Sequence, residues 1–581
     1  MTALLLHSPK SLKVLDRPSV RRAHLHQHAH RIRLLSFLLI AASVGVSLVY
    51  VWCYCPLDLA SDEAHYWDWS RHLDWCYYSK GPLVAWLIRC SCELFGLISI
   101  AVTGDLGAAV RLPAILCHGA LLLGSYYLAS GLFRSPLIGL IVVAVEASLP
   151  LVRVGSVLMT IDAPFLVCWC WALYCVWKTQ ESGTARPTKL DLGRSGCARQ
   201  IAPGNVGWWI GAAAFTAIGI LAKFTMTLLP IAVLSYFLIH NRSEFRRPGV
   251  WMLWAGAILG WAPIVEWNAR HEWVSFRHVF GQVGGELGIG AQFHWFGPFA
   301  FLGVQFGMLF GGWLVAFLIA GWRFRPHREQ NTGVKLIWWS TVPVWYLFAL
   351  ASFIKAGQPN WPAPAYVGGT ILAVAWLYEQ LAGSHSRIVR VSLTATVMLS
   401  LAVGAAIHFP GTIRPALAQL LNQPTIEKPL PIRNLDLSAR LVGWRTLANE
   451  VDRLRIHILN ATGEDPILAG TNWTVPGHLG FYCEGHPQAY ALGTVNGSDR
   501  HSQYDFWRPN PVKDAQAFRG RTFVIVGDIG PELRQGFEWI EPGREVVHSE
   551  GGIPIAAWTI WVCHGFRSFV ESRADCRVPG Y

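Results

Sequence analysis

Apolar residues in this chain gather into long runs instead of alternating with polar ones. The runs lie at about 33–54, 108–131, 136–151, 163–178, 207–222, 225–240, 249–267, 296–322, 335–353, 363–382 and 390–409. A helix needs about 20 mostly apolar residues to cross a bilayer, so the pattern predicts about eleven membrane-spanning helices. The polar segments between them alternate in charge. Arg21, Arg22, Arg31 and Arg33 precede the first run, and Arg134 follows the second. Lys178, Arg186, Lys189, Arg194 and Arg199 follow the fourth, and Arg242, Arg246 and Arg247 the sixth. Arg323, Arg325 and Arg328 follow the eighth, and Arg387 and Arg390 the tenth. Lys and Arg are retained on the cytoplasmic side. The N-terminus is therefore expected in the cytoplasm, in a multi-pass protein of the inner (plasma) membrane. The remaining loops face outward.

With an odd number of spans the residues after about 410 also lie outside, and there the pattern changes. Apolar runs shorten to strand length, as in 521–527 and 554–562, between Gly- and Pro-rich turns. Such punctuation predicts a small soluble α/β domain. The expected organisation is a basic, His-rich tail at 1–32, a transmembrane catalytic domain at 33–409 and an extracytoplasmic domain at 410–581. Within the second, residues 55–107 form a first outer loop with interfacial helices.

Composition agrees with the pattern: 52% of residues are hydrophobic, 14% are charged, and 29 are Trp. The net charge of +12 sits between apolar runs, where it serves topology, so nucleic acid is not an expected partner. Of the thirteen Cys, Cys53, Cys55, Cys168, Cys170 and Cys175 lie in apolar segments and read as small hydrophobes. No C-x-x-C pair supports a zinc or redox site. Near the C-terminus a disulfide among Cys483, Cys563 and Cys576 is open. The His-rich stretch Ala23–His30 reads as part of a charged tail rather than a metal site.

Ionisable groups accumulate in the outward loops. In the first, Ser61 can cap a helix whose opening residues are Asp62 and Glu63. Both carboxylates then meet the positive end of the helix dipole, which favours ionisation. Tyr66 and Trp69 continue the face of Asp62. An ionised carboxylate at the membrane surface suits a general base that takes a proton from an attacking hydroxyl. Asp162 stands before Pro164 at the mouth of a span, where a carboxylate needs a partner. The cations Lys80, Arg153, Lys223, Arg270, Arg277 and Lys355 oppose the topology trend. A phosphate leaving group at headgroup level accounts for them.

The string Asp62-Glu-Ala-His-Tyr-Trp-Asp-Trp-Ser-Arg-His-Leu-Asp-Trp-Cys-Tyr-Tyr-Ser-Lys-Gly-Pro-Leu-Val-Ala-Trp86 resembles the first periplasmic loop of membrane-integral GT-C glycosyltransferases. More narrowly it resembles the family 39-type group, which includes protein O-mannosyltransferases and the lipid A aminoarabinose transferase. The likeness continues through Val110–Pro113, Met159–Pro164, Ala222–Thr225, Trp267–His271, Asn360–Pro364 and Arg500–Asp505. It implies a GT-C fold and an inverting transfer from a polyprenyl-phosphate sugar to a glycolipid, polysaccharide or protein. It also implies Asp62 as catalytic base, with Glu63 beside it, and Lys80 and Lys223 on the donor phosphate. Glu63 and Asp162 would shape the site or hold a divalent metal ion, if there is one. His65, Tyr66, Arg153, Trp267, Asn268, His271, Asn360 and Trp361 would contact substrate. Where several relatives have an acidic residue followed by Lys-Pro-Pro, this chain has Ser79-Lys80-Gly81-Pro82, and Cys76 stands where Gly is expected.

The rival reading is a polytopic transporter or flippase for an anionic or lipid-linked substrate. It would place ionisable groups inside several spans and show an inverted repeat. Glu146 is the main candidate inside a span, and no repeat is evident. No G-x-x-x-x-G-K-[ST] string points to a nucleotide.

Overall fold

The computed structural model describes residues 18–182, 203–282, 293–381 without 356, 386–414 without 413, and 436–569 without 498. Arg186, Lys189, Arg194, Arg199 and Cys576 lie outside the described residues. Helix α1 spans Pro18–Val49 and continues into a π-helical turn at Tyr50–Tyr54. The His-rich stretch is helical and continuous with this helix. After it come α2 (Ser61–Arg71), α3 (Leu83–Thr103), α4 (Gly107–Leu132), α5 (Pro136–Ser148), α6 (Pro150–Gly155) and α7 (Asp162–Ser182). The bundle continues through α8 (Pro203–Ala222), α9 (Leu228–His240), α10 (Pro248–Arg270), α11 (Val274–Gln282), α12 (Gly297–Met308) and α13 (Gly312–Arg323). It closes with α14 (Thr332–Ala351), α15 (Ala363–Leu381) and α16 (Ser386–His408).

All eleven apolar runs are helical, but not all are straight spans. Pro150 ends the run 136–151 early, because it lacks the N–H that α5 would need to continue. The run 296–322 breaks into α12 and α13, which bend by 114° at a hinge where Phe310 and Gly311 have positive φ. Conversely, the first loop holds a helix longer than its broken pattern predicts. α3 runs unbroken for 21 residues and is long and apolar enough to cross a membrane. Arg89 and Glu93, which interrupt the apolar run, form an i,i+4 ion pair at 2.5 Å on its exposed side. Five other helical stretches meet the same test: Gln27–Tyr54, α4, α10, α14 and Val389–Ala406.

The bundle core is built by Phe165, Trp169, Leu173, Leu229, Phe237, Leu253, Phe317, Leu336 and Leu372 from α7, α9, α10, α13, α14 and α15, all buried.

The C-terminal residues form a six-stranded sheet of β1 (Ile467–Gly470), β2 (Ala489–Ala491), β3 (Phe523–Val526), β4 (Trp539–Ile540), β5 (Arg544–Glu550) and β6 (Ile553–His564). Its order is β2-β1-β3-β6-β4, with β5 also on β6; β1 is parallel to β2 and β3, and β6 is antiparallel to β3. The two runs read as strands are β3 and β6. Cys483 and Cys563 are both buried free thiols.

This domain clamps the first loop. Helix Thr474–Tyr482 lies across α2, where a Cβ on Gly477 would stand 2.9 Å from the Ala64 carbonyl carbon. Glycine at 477 is what permits that approach. The Tyr482 hydroxyl accepts from Leu59 N at 2.6 Å, Asp58 accepts from Trp444 N at 2.8 Å, and Arg71 donates to the His486 carbonyl at 2.8 Å.

Candidate active site

α2 buries Glu63 through Ser70 between α3 and the C-terminal domain. Ser61 does not cap it. Ala60 holds the cap position, and its N–H donates to Glu63 Oε2 at 2.9 Å, so a carboxylate inside the first turn does the capping. Trp69 is fully buried and stacks on Tyr77 at 4.3 Å, while the Tyr77 hydroxyl donates to the carbonyls of Trp69 and His72. These contacts fold residues 72–80 back beside α2 and deliver Lys80 to the site. At Gly81 the chain touches α8: a Cβ there would lie 2.1 Å from the Leu221 carbonyl oxygen. The glycine in Ser79-Lys80-Gly81-Pro82 therefore lets the Lys80 backbone approach the end of α8 that carries Lys223.

Together these segments enclose a polar cavity of about 480 Å³. Asp62, His65, Tyr66 and Lys80 line it from the first loop; Asp162 and Lys223 from the bundle; Asn360 and Trp361 from the segment before α15. Eight residues singled out in the sequence thus meet in one chamber. Arg440, Trp473, Arg500, His501 and Ser502 complete the wall from the C-terminal domain, with His278 from α11. Arg500 and His501 belong to the Arg500–Asp505 stretch, which had signalled a relationship but no role. Arg440 and Trp473 carry no signal that local patterning could read.

Lys223 Nζ donates to Asp162 Oδ1 at 2.7 Å, and Asn360 Nδ2 donates to Asp162 Oδ2 at 2.5 Å. The costly carboxylate at the head of α7 is thereby paired. Asp62 is exposed and lines the cavity. Burial raises its carboxyl above the usual range; Lys80, Arg500 and the Tyr66 hydroxyl hydrogen bond oppose this. Lys80 is pushed down to about 8, first by burial and then by Lys223. His65 is pushed down to about 3 by burial and then Arg500, so its ring is neutral at physiological pH.

Glu63 is not available as a second catalytic group or a metal ligand. Its side chain is fully buried, accepting from Arg111 Nη2 at 2.9 Å, Arg111 Nε at 3.1 Å, Met159 N at 2.8 Å and Ala60 N. Asp162 is held by Lys223 and Asn360. No cluster of three His, Cys, Asp or Glu side chains that could hold a metal occurs among the described residues. The donor set at Glu63 and Asp162 therefore does not fit a metal ion.

Four expected substrate contacts lie elsewhere. Trp267 Nε1 donates to Asp74 Oδ2 at 2.7 Å and its ring stacks on His271 at 3.8 Å. Asn268 is fully buried; its Oδ1 accepts from Ser275 N at 3.1 Å, and the Ser275 hydroxyl donates to the Tyr77 carbonyl at 2.8 Å. Trp267 and Asn268 latch α10 and α11 onto the first loop, and His271 backs the Trp267 indole, its Nδ1 meeting the Trp267 carbonyl at 2.8 Å. Arg153 sits on α6 and lines neither this cavity nor the apolar one below. Among the other cations, Arg270 pairs with Glu266, Arg277 with Glu272, and Lys355 donates to the Gly281 carbonyl at 3.0 Å. Lys80 and Lys223 remain as the cavity's cations from the predicted set.

A second, mostly apolar cavity of about 230 Å³ adjoins the first and shares Thr160, Asp162 and Asn360 with it. It runs between α4, α5, α6, α7 and α15.

The comparisons with known proteins agree with this architecture. Residues 79–187 and 197–267 match the model of the dolichyl-phosphate-mannose-protein mannosyltransferase family. The chain is 28% identical over 359 residues to the lipid A galacturonosyltransferase RgtD of Rhizobium johnstonii, covering 61% of this chain and 67% of that one. Among solved structures, ArnT from Cupriavidus metallidurans bound to undecaprenyl phosphate superposes with a TM-score of 0.53 at 17% identity. That match covers 90% of this chain and 97% of ArnT, and apo ArnT superposes with a TM-score of 0.51. This chain is therefore a multi-pass membrane protein of the GT-C glycosyltransferase fold.

Proposed function

We propose that the protein is an inverting glycosyltransferase that moves a sugar from a polyprenyl-phosphate donor to an acceptor hydroxyl on the outer face of the membrane. The observation that carries this reading is geometric: the Asp62 carboxylate shares one chamber with Lys80, Lys223 and Arg500. Asp62 accepts the proton of the attacking hydroxyl as its oxygen bonds to the anomeric carbon. The bond from that carbon to the phosphate oxygen breaks, and polyprenyl phosphate leaves with the electron pair. Lys80 and Arg500 stabilise the growing phosphate charge. Lys223 and Asn360 hold Asp162 as the rigid floor of the chamber. One displacement without a covalent intermediate inverts the anomeric centre. The Tyr66 hydroxyl orients the Asp62 carboxylate, and neutral His65 offers a hydrogen bond to a sugar hydroxyl.

Alternating basic loops support a plasma-membrane protein whose N-terminus is cytoplasmic and whose C-terminal domain roofs the chamber from outside. RgtD makes a polyprenyl-linked galacturonate and a lipid A acceptor the first pair to assay. In purified protein, Asp62→Asn should lower transfer about 10²–10⁴-fold, the usual contribution of a general base. Transfer by Asp62→Asn at the wild-type rate would overturn the base assignment. If the wild type transfers from no lipid-linked donor yet moves one across proteoliposomes, the transporter reading replaces this one.

A further inference from the structure

The loop that carries Lys80 is held in part from the other domain. Tyr78 N donates to Gln503 Oε1 at 2.7 Å, across 425 residues of sequence. Gln503 is only 2% exposed, so its amide oxygen serves the loop rather than bulk water. The Tyr78 ring is gripped as well, by Phe506 at 5.8 Å and by His278 of α11 at 4.8 Å. His278 Nε2 in turn accepts from Arg500 Nη1 at 3.1 Å. Residues 500–506 are fixed to their own domain too. Ser502 N donates to Asp505 Oδ2 at 2.6 Å, and Asn510 Nδ2 donates to the Tyr504 carbonyl at 2.8 Å. They form a strap with one face on the C-terminal domain and the other on the first loop.

Lys80 lies two residues past Tyr78, and the turn between them is tight. Tyr77 N donates to the Lys80 carbonyl at 3.1 Å, and the Ser275 hydroxyl holds the Tyr77 carbonyl at 2.8 Å. Gly81 then sets the chain against α8. A lysine ammonium rides on a flexible four-carbon stem, so its aim depends on where residues 77–81 hold the backbone. The bundle fixes that segment at Tyr77 and Gly81, and the C-terminal domain fixes it at Tyr78.

We propose that Gln503 is a positioning residue for Lys80: by holding Tyr78 it sets the cation that meets the donor phosphate. The proposal deepens the donor-phosphate reading of Lys80 and rests on it. One strap then supplies Arg500 to the chamber directly and Lys80 through its backbone, which makes the C-terminal domain a working part of the donor site. Tyr482 offers the contrast. It makes an equally short bond between the same two parts, to Leu59 N at 2.6 Å, but neither residue lines the chamber.

A double-mutant cycle on undecaprenyl phosphate binding tests this without catalysis, read by native mass spectrometry of the full-length protein in detergent. Gln503→Met keeps an unbranched side chain and removes the acceptor. It should weaken undecaprenyl phosphate about tenfold, a loss of about 1.4 kcal/mol. In a Lys80→Met background the same change should have no further effect, because the group it aims is gone. Tyr482→Phe should lower the unfolding midpoint yet leave affinity within about twofold of wild type. Phe506→Leu loosens the same grip from a half-exposed position, so it reports even if Gln503→Met folds poorly; it too should weaken binding only while Lys80 is present. In transfer assays Gln503→Met should move the basic limb of kcat/KM upward. Lys80, faced by Asp62, Asp162, Lys223, His278 and Arg500, gains water when its loop is released. Equal losses from Gln503→Met with and without Lys80 would overturn the proposal and leave the donor reading in place. Failure of wild type to bind undecaprenyl phosphate would remove the donor reading itself, and the role of Gln503 with it.

Discussion

Glu63 is the residue whose role changed most between sequence and structure, and its substitution separates catalysis from architecture. Glu63 and Arg111 have side-chain exposures of 0% and 4% and form an ion pair at 2.9 Å. Arg111 also donates to the carbonyls of Leu57 at 3.1 Å and Asp58 at 2.7 Å. Glu63 ties in the N–H groups of Ala60 and Met159. The pair thus joins the start of α2, the strand-like approach to it, α4 and the segment leading to Asp162. Removing one partner of a buried pair leaves the other charge uncompensated and costs about 3–5 kcal/mol. Domains have only about 5–15 kcal/mol in total, so the loss is a large fraction. Glu63→Gln should therefore unfold at markedly lower denaturant than wild type, followed by tryptophan fluorescence in micelles. Its remaining folded fraction should transfer sugar at a rate within a few-fold of wild type. Asp62→Asn should do the reverse: unchanged stability and lost transfer. The double change Glu63→Met with Arg111→Met should recover much of the stability, since an apolar pair of similar size can replace a buried ion pair. A Glu63→Gln protein with the wild-type midpoint but the activity of Asp62→Asn would refute the structural assignment and restore Glu63 as a catalytic group.

Three further outcomes follow from the site. The pH profile of kcat/KM should be a bell: its acid limb reports Asp62, which works deprotonated and whose pKa is raised, so activity climbs with pH later than for a free carboxylate. The basic limb should fall near pH 8 as Lys80 loses its proton, and Lys80→Arg should move that limb upward; an unmoved limb assigns it to another group. Gly81→Ala forces a Cβ against the Leu221 carbonyl, so about 1–3 kcal/mol of stability and a rise in donor KM should follow, measured by unfolding and steady-state kinetics. Trp267→Phe removes the donor to Asp74 and should cost about 1 kcal/mol while leaving donor KM unchanged; an altered KM would return Trp267 to the substrate site.

Much of this site was readable because its chemistry is concentrated in one stretch. Asp62, His65, Tyr66 and Lys80 lie within twenty residues of each other, and the run of aromatics around them, expected at a membrane interface, is buried in α2 between α3 and the C-terminal domain. Asp162, Lys223 and Asn360 could be added because each stands at the boundary of an apolar run, where a charged or amide group needs a reason. The misassignments came from the same logic applied where the partner was invisible. Trp267, Asn268 and His271 crowd a loop as substrate contacts would, but Asp74 and Ser275 use Trp267 and Asn268 for docking, and His271 packs on Trp267. Arg440 and Trp473 escaped notice because both come from the C-terminal domain, where local patterning speaks of strands and turns.

Hydrophobic patterning settles what must be buried in lipid, where the helices run and that a compact α/β domain follows them, because a span or a strand is a local matter of length and period. Ionisation and pairing are not local. Asp62 and Glu63 are neighbours in the first turn of one helix, with the same chemistry and the same dipole. Glu63 turns inward to Arg111, and Asp62 faces the cavity with Lys80 and Tyr66. A helix places adjacent side chains on different faces, and what waits at each face is supplied by segments dozens to hundreds of residues away. That difference in direction makes one carboxylate a structural anchor and the other the candidate base.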